Sequence, residues 1–125
     1  MKEDTLRWPL RITEERPEGV LVLALAGRVG FASAGTLAAA VANAVAQGIH
    51  RLVIDLALVD YMSSAGLTAL DMGAGRCSEM GGTLVLCAVS EPVRIALDLA
   101  GLLPRFPIET SRDRAVAQAL KPSGR

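Results

Sequence analysis

The sequence has 125 residues, of which 51% are hydrophobic and 21% charged, and its formal net charge is zero. This length and composition are typical of one ordinary globular domain with an aliphatic core. The balanced charge and the lack of a dense basic patch argue against nucleic-acid binding, and no apolar run approaches the roughly 20 residues of a membrane-spanning helix. We therefore expect a compact, cytoplasmic domain that neither binds nucleic acid nor inserts into a membrane.

Two cysteines and a single histidine limit the metal and redox chemistry. Cys77 and Cys87 stand ten residues apart, one on the apolar face of a predicted helix and one in a predicted strand, which is poor spacing for a metal site. We expect both to be buried, reduced thiols and His50 to face solvent. No metal or other cofactor is predicted.

The chain begins with two predicted strands, over residues 6–12 and 20–26. The turn residues at 17–19 favour an antiparallel hairpin between them. Apolar residues at helical spacing then predict an amphipathic core helix over residues 33–47, ended by Gly48. These apolar residues are Leu37, Val41, Ala44 and Val45.

Residues 51–58 form a short aliphatic run, which is typical of a strand covered on both faces. The next helix is predicted from apolar residues at helical spacing, and the glycines at 81–82 are predicted to end it. Those apolar positions are Leu67, Leu70, Gly73, Ala74, Cys77 and Met80.

Helices and strands are then predicted to alternate to the end of the chain, with a closing helix that begins near Ser111. The charges at the start of the closing helix are predicted to be solvated. Strands that return through helices can lie parallel. The fold class is therefore α/β: one domain over residues 1–120, with a mixed sheet of four to five strands and about four helices packed against it, and a flexible tail over residues 121–125.

Residues 59–68, VDYMSSAGLT, place two adjacent hydroxyl groups where a buried strand gives way to a helix. Ser63 or Ser64 is suited to the N-cap position, where a serine oxygen accepts from a free amide of the first helical turn. Those amides and the helix dipole also favour the negative charge of a phosphate. On spacing alone, an ordinary structural cap is the commoner explanation.

We do not expect an enzyme. A serine nucleophile needs an adjacent base and donors for an oxyanion, but no G-x-S-x-G elbow surrounds the serine pair, and His50 precedes Ser63 by thirteen residues. The segment at 73–75 lacks the lysine and serine or threonine that end a phosphate-binding loop. Its glycines are better suited to close helix packing.

The sequence around the serine pair resembles the STAS domain family of anti-sigma factor antagonists. In that family the pattern after the central strand is aspartate or serine, the phosphoacceptor serine, serine or alanine, glycine, and leucine. Residues 63–67, SSAGL, match this pattern position by position and place Ser64 on the phosphoacceptor. Further along the chain, residues 81–87 resemble the next strand of the family and residues 92–102 its following helix, which ends at a Gly-Leu turn. Residues 106–108 and 115–120 resemble its last strand and closing helix.

This resemblance implies a protein switch. The unphosphorylated domain binds a serine-kinase anti-sigma factor and frees the sigma factor, phosphorylation of Ser64 releases it, and a PP2C-type phosphatase acts on the phosphorylated form. Ser63 is a competing acceptor. The residues implied in partner binding are Gly30, Phe31, Ser33, Asp60, Met62, Ser63, Ala65, Gly66 and Leu67.

Two positions depart from the family pattern. Gly30 stands where many relatives carry an aspartate after the second strand, and Ser63 stands where the sporulation-type antagonists carry an acid. The second change makes the loop less negative, which bears on the choice of kinase. An alternative function is a STAS docking module that is not phosphorylated, in a lipid-transport ABC assembly or in a stress-signalling scaffold.

Overall fold

A computed structural model describes residues 10–122, which form a five-stranded sheet with strands in the spatial order β1-β2-β3-β4-β5. β1 runs antiparallel to β2, and every other neighbouring pair is parallel. The strands are Arg11–Glu15 (β1), Leu21–Ala26 (β2), Arg51–Leu58 (β3), Thr83–Cys87 (β4) and Ile108–Glu109 (β5). Within the described residues the α-helices are Phe31–Ala46 (α1), Ser64–Glu79 (α2), Glu91–Leu99 (α3) and Arg112–Leu120 (α4). The predicted mixed sheet with four helices is confirmed.

The two faces of the sheet are covered unequally. One face packs against α1, α2 and α3 in the larger cluster of buried side chains, and the other packs against α4 alone. Because both faces are covered, β3 and β4 are nearly continuous aliphatic runs, as a parallel sheet requires. The cluster beneath α4 consists of Val20, Val22, Val53, Val85, Cys87, Ala115, Val116 and Ala119.

α1 and α2 approach each other closely, and Gly73 explains how. A methyl group at Gly73 would lie 2.9 Å from Cγ1 of Val41 on α1. The prediction of close helix packing is therefore confirmed at Gly73. Gly75 instead faces the guanidinium of Arg105, so the same prediction is wrong there.

Several predicted boundaries were wrong. The first strand continues to Glu15 rather than ending at residue 12, because pairing with β2 holds its polar residues extended; residues 6–9 lie outside the described part. The helix predicted at 33–47 begins at Phe31, since Gly30 is its N-cap. The strand predicted at 106–108 is Ile108–Glu109, because the side chain of Phe106 turns into the core.

Two side-chain predictions also need correction, and one is confirmed. Met80 is exposed because it lies past the end of α2, and His50 is half-buried rather than solvent-facing. Cys77 and Cys87 are buried free thiols, as predicted. Burial raises the pKa of Cys77 to about 11, and burial together with the charge of Asp55 raises the pKa of Cys87 to about 12.

The charges at the start of α4 were predicted to be solvated, and for Arg112 this is wrong. Its Nε donates to Asp55 on β3 at 2.9 Å, and its terminal nitrogen donates to Glu15 on β1 at 2.7 Å. The hydrogen bond to Asp55 is the main cause of the raised pKa of Arg112. Asp55 is nearly buried, with a side chain 12% exposed, so Arg112 neutralises a charge that water reaches poorly.

A second arginine holds the other end of α4. The guanidinium of Arg51 donates to the carbonyls of Ala119 and Lys121. Free carbonyls at a helix C-terminus attract cations, because the helix dipole is negative there. Both ends of α4 are therefore fastened to the sheet by arginine side chains. Of the tail predicted at 121–125, residues 123–125 lie outside the described part of the chain.

We predict that Arg112→Gln lowers the free energy of unfolding by about 2 kcal/mol, because it leaves the carboxylate of Asp55 without its cation. This is less than for a fully buried pair, since the side chain of Arg112 is 35% exposed. Urea denaturation measures the change. Arg105→Gln is the control: it breaks the exposed pair with Asp71 and should cost less than about 1 kcal/mol. Equal losses of unfolding free energy in the two variants would contradict the conclusion that Arg112 neutralises a poorly hydrated carboxylate.

Candidate functional site

Three loops meet at one edge of the sheet, and they carry the candidate site. β2, β3 and β4 are parallel, so their carboxyl ends lie at the same edge. The loops that follow these strands, at residues 27–30, 59–63 and 88–90, lead into α1, α2 and α3 respectively. The carboxyl edge of a parallel sheet is the usual place for functional loops.

The loop before Ser64 is held in register by backbone hydrogen bonds. The amide of Gly27 donates to Leu58 at 3.1 Å, and the amide of Val29 donates to Tyr61 at 3.0 Å. In return the amide of Ser63 donates to the carbonyl of Val29 at 2.8 Å. These bonds continue the β2–β3 ladder beyond the strand ends, with Val29 and Met62 forming an isolated parallel bridge. The serine pair therefore sits on an ordered backbone.

The underside of this loop is packed into the core. Val29, Met62 and Leu67 are buried, and Gly66 lies directly against the first two. A Cβ at Gly66 would be 2.7 Å from both Cγ of Met62 and Cγ1 of Val29. Glycine is needed here for close approach, since Gly66 is not among the residues with positive φ.

The residues predicted to bind a partner differ in exposure. Met62, Gly66 and Leu67 are buried beneath the loop. Gly30, Ser33 and Ala65 are half-buried, and Ser33 has a structural part: its Oγ accepts from the amide of Gly30 at 2.8 Å. Of the predicted set, Phe31 and Asp60 are the fully exposed members.

The two serines have different environments. Ser63 is the N-cap of α2; it is half-buried, and its Oγ accepts from the amide of Gly66 at 3.3 Å. Ser64 is the first residue of the helix and is exposed. The sequence left open which serine is the cap, and the structure assigns that role to Ser63. The hydroxyl of Ser64 is consequently available for modification.

Exposed apolar side chains lie at the same edge of the sheet as Ser64. Phe31 is 87% exposed, Leu58 is 72% exposed and Tyr61 is 41% exposed. The guanidinium of Arg28 stacks on the ring of Tyr61, 4.4 Å from its centroid. We call Phe31, Leu58 and Tyr61 the apolar rim. Large apolar side chains exposed together are typical of a protein-binding surface.

Three residues of this surface were not predicted from the sequence: Leu58, Tyr61 and Arg28. Leu58 ends a run that predicts burial on both faces, but the β2–β3 register shifts between the pairs Ala24–Asp55 and Ala26–Leu58, which leaves one extra residue on β3. An extra residue in one strand redirects the side chains that follow it. The hydrophobic pattern gives no sign of that shift. The stacking of Arg28 on Tyr61 depends on the pairing of two loops that are far apart in sequence.

The single histidine of the sequence lies far from the serine pair. His50 precedes β3, so it lies near the opposite edge of the sheet, roughly 25 Å from Ser64 along an eight-residue strand. Among residues 10–122 there is no cluster of three potential metal ligands.

Comparison with known proteins identifies one family for this chain. The model of the STAS domain family matches residues 11–115. A protein of Bordetella bronchiseptica named as a candidate anti-sigma factor antagonist, BtrV, is 37% identical over 108 residues, which cover 86% of this chain and 93% of BtrV.

Solved structures agree with this match. An anti-sigma factor antagonist from Mycobacterium paratuberculosis is 27% identical, with a TM-score of 0.77 over 90% of this chain and 95% of its own. The phosphorylated form of the Bacillus cell fate determinant SpoIIAA is 17% identical, with a TM-score of 0.70 over 86% of this chain and 98% of its own, which shows similarity of fold alone. In residues 10–122, no helix has the length and apolar character to cross a membrane.

We predict that Ser63→Ala and Ser64→Ala differ in stability. Ser63→Ala removes the cap of α2 and should lower the free energy of unfolding by about 1 kcal/mol. Ser64→Ala removes an exposed hydroxyl and should change it by less than about 0.5 kcal/mol. Thermal or urea denaturation of the two variants side by side measures the difference. A larger loss in Ser64→Ala would show that the cap has been assigned to the wrong serine.

We also predict that Gly66→Val lowers the free energy of unfolding by about 2 kcal/mol or more, because its side chain must displace Met62 and Val29. The measurement is urea denaturation, together with the NMR shifts of residues 27–30. Gly35→Ala is the control, since nothing lies within 4 Å of the added methyl and alanine favours the helix by roughly 1 kcal/mol. An unchanged loop spectrum in Gly66→Val would contradict the close packing.

Proposed function

This chain belongs to the STAS domain family, and from that premise we propose that it is an anti-sigma factor antagonist that acts by partner switching. Its unphosphorylated form binds a serine-kinase anti-sigma factor and so frees the sigma factor. That kinase phosphorylates Ser64 and thereby releases the antagonist, and a PP2C-type phosphatase removes the phosphate. The protein itself catalyses no reaction, and it acts in the cytoplasm, where transcription takes place.

The observation that carries this proposal is the division of roles between the two serines. Ser63 is engaged as a helix cap, whereas Ser64 is an exposed residue at the start of α2, directly after a loop held by a backbone ladder. A kinase needs an accessible hydroxyl in a defined position, since phosphoryl transfer depends on alignment of the attacking oxygen. The side chain of Ser63 is half-buried and already bonded to the amide of Gly66, so Ser64 is the better acceptor.

The apolar rim supports a protein partner. Exposed aromatic side chains such as Phe31 and Tyr61 commonly provide most of the binding energy at protein interfaces. Leu58, the last residue of β3, adds a third exposed apolar side chain at this edge of the sheet. Because these side chains lie at the same edge of the sheet as Ser64, we infer that one partner covers both them and the phosphorylation site. Binding and phosphorylation then involve the same surface.

The charge of a phosphate explains release. Phosphoserine carries roughly −1.5 to −2 charges at neutral pH, which are costly to bury beneath a partner. A hundredfold loss of affinity requires about 2.7 kcal/mol, well within the effect of one such group. Asp60 is exposed in the same loop and adds to the negative charge there. The domain need not unfold, because the start of α2 tolerates a phosphate.

We predict that incubation with a lysate of the source organism and Mg-ATP places phosphate on Ser64, as mapped by mass spectrometry. Wild type and Ser64→Ala should both capture a serine kinase. Ser64→Asp should bind that kinase about a hundredfold more weakly, since it places a negative charge at the contact. Ser63→Asn is the matched control, because asparagine keeps a helix cap without a charge.

Two results would contradict the proposal. An unmodified Ser64 together with co-purification of a transporter ATPase would favour the docking-module alternative. Phosphate on Ser63 with none on Ser64 would keep a phosphorylation switch but would reject the assignment of the acceptor.

A further inference from the structure

The loop between β4 and α3 contains a serine that does not cap its own helix. Ser90 is the N-cap residue of α3, yet its side chain makes no capping hydrogen bond there. Its Oγ donates instead to the carbonyl of Val59, 31 positions earlier in the chain, at 2.9 Å. The oxygen of a serine at an N-cap normally accepts a hydrogen bond from an amide of its own helix. The hydroxyl of Ser90 instead bonds to a different loop.

The backbone before Ser90 is held in an unusual conformation. Ala88 has a φ of 54°, in the left-handed region that residues other than glycine seldom adopt. Its amide donates to the carbonyl of Glu109 on β5 at 3.1 Å, which fixes it at the end of β4. Such strain persists only where the surroundings impose it. Here it accompanies a sharp exit from β4 that brings the hydroxyl of Ser90 to Val59.

Val59 is the first residue after β3, where the loop leading to Ser64 begins. Its side chain is buried, and its amide donates to Leu56 at 3.1 Å. Among residues 10–122, Ser90 is the hydrogen-bond donor to the carbonyl of Val59. A carbonyl at a buried position that loses its donor is destabilising.

Ser90 completes a two-sided support for the loop. From the β2 side, residues 27–30 bond to Leu58, Tyr61 and Ser63. From the β4 side, Ser90 bonds to Val59. The segment that carries Ser64 is thus fixed by hydrogen bonds from the loops on both of its neighbours.

We propose that Ser90 is a positioning residue for the phosphoacceptor loop: its hydroxyl fixes Val59, so that Ser64 and the apolar rim are presented in one conformation. This proposal rests on the proposed function, since it assigns Ser90 to the surface that the kinase binds. A loop that is ordered before binding loses less conformational entropy when the partner docks. The left-handed backbone of Ala88 and the missing side-chain cap of α3 then follow from the position that Ser90 takes to reach the carbonyl of Val59.

Amide hydrogen exchange, followed residue by residue by NMR in the full chain, tests the proposal without a kinase or sigma factor. In Ser90→Ala the exchange rates of the Val59 and Ser63 amides should rise about tenfold, as expected for loss of one supporting hydrogen bond. The rate of Ile54, in the middle of β3, should stay unchanged. Ser90→Thr keeps a hydroxyl and should restore the wild-type rates.

Ser111 offers a matched control. It is the N-cap of α4, and its Oγ accepts from the amide of Arg114 at 3.2 Å, as an ordinary cap does. Ser111→Ala should therefore leave the exchange rates of the loop unchanged. If Ser90→Ala fails to fold, Ser90→Gly serves in its place, because glycine is tolerated at an N-cap.

Unchanged loop exchange in Ser90→Ala, or in Ser90→Gly where that variant replaces it, would overturn the proposal, as would an equal rise in Ser111→Ala. The outcome is separate from that of the lysate experiment. If Ser64 remains unphosphorylated while Ser90→Ala still loosens the loop, the proposed function fails and the support of the loop by Ser90 stands. If Ser64 is phosphorylated and the exchange rates of the loop are unchanged in Ser90→Ala, the proposed function stands and the support of the loop by Ser90 is rejected.

Discussion

The parallel pairing of β2 with β3 is the constraint on which the site depends. It brings the ends of the two strands to one edge, and its hydrogen bonds continue past them through Val29 and Ser63. A loop after a strand would ordinarily be free to move, but this one keeps the register of the sheet. The side chains of Val29 and Met62 turn inward from that ladder, and Gly66 lets α2 start directly above them. The position of Ser64 follows from these contacts.

The opposite face of the sheet is stabilised in a different way. α4 is short and packs through small side chains, Ala115, Val116 and Ala119, so its apolar contact with the sheet is modest. Two arginines supplement it: Arg112 bridges to Asp55 and Glu15, and Arg51 holds the last carbonyls. Arg112 stands at the positive end of the helix dipole, which is unfavourable for a cation. Its two carboxylate partners offset that cost.

The serine pair places a helix cap directly before the proposed phosphoacceptor. Ser63 satisfies an amide of α2 without adding charge, whereas an acid at the same position would do so with a negative charge beside the acceptor. The neutral cap leaves Asp60 as the carboxylate within the loop. A phosphate on Ser64 would therefore be the main change in charge at this surface. Such a change alters partner binding while the buried support of the loop stays intact.

The sequence by itself determined the order of strands and helices, the antiparallel start of the sheet and the helix that begins at the serine pair. Periodicity and turn residues are local signals, and they were sufficient for the elements up to the helix at the serine pair, whereas the bounds of the later elements came from the family resemblance. The local signals misplaced the end of β1 and the resemblance misplaced β5, because in both places pairing with a neighbour decides which residues are extended. The roles of Arg112 and Ser90 and the exposure of Leu58 were decided only by the tertiary structure. Each depends on a contact or register between segments far apart in the chain, such as the 57 positions between Arg112 and Asp55, and local patterns carry no information about such pairings.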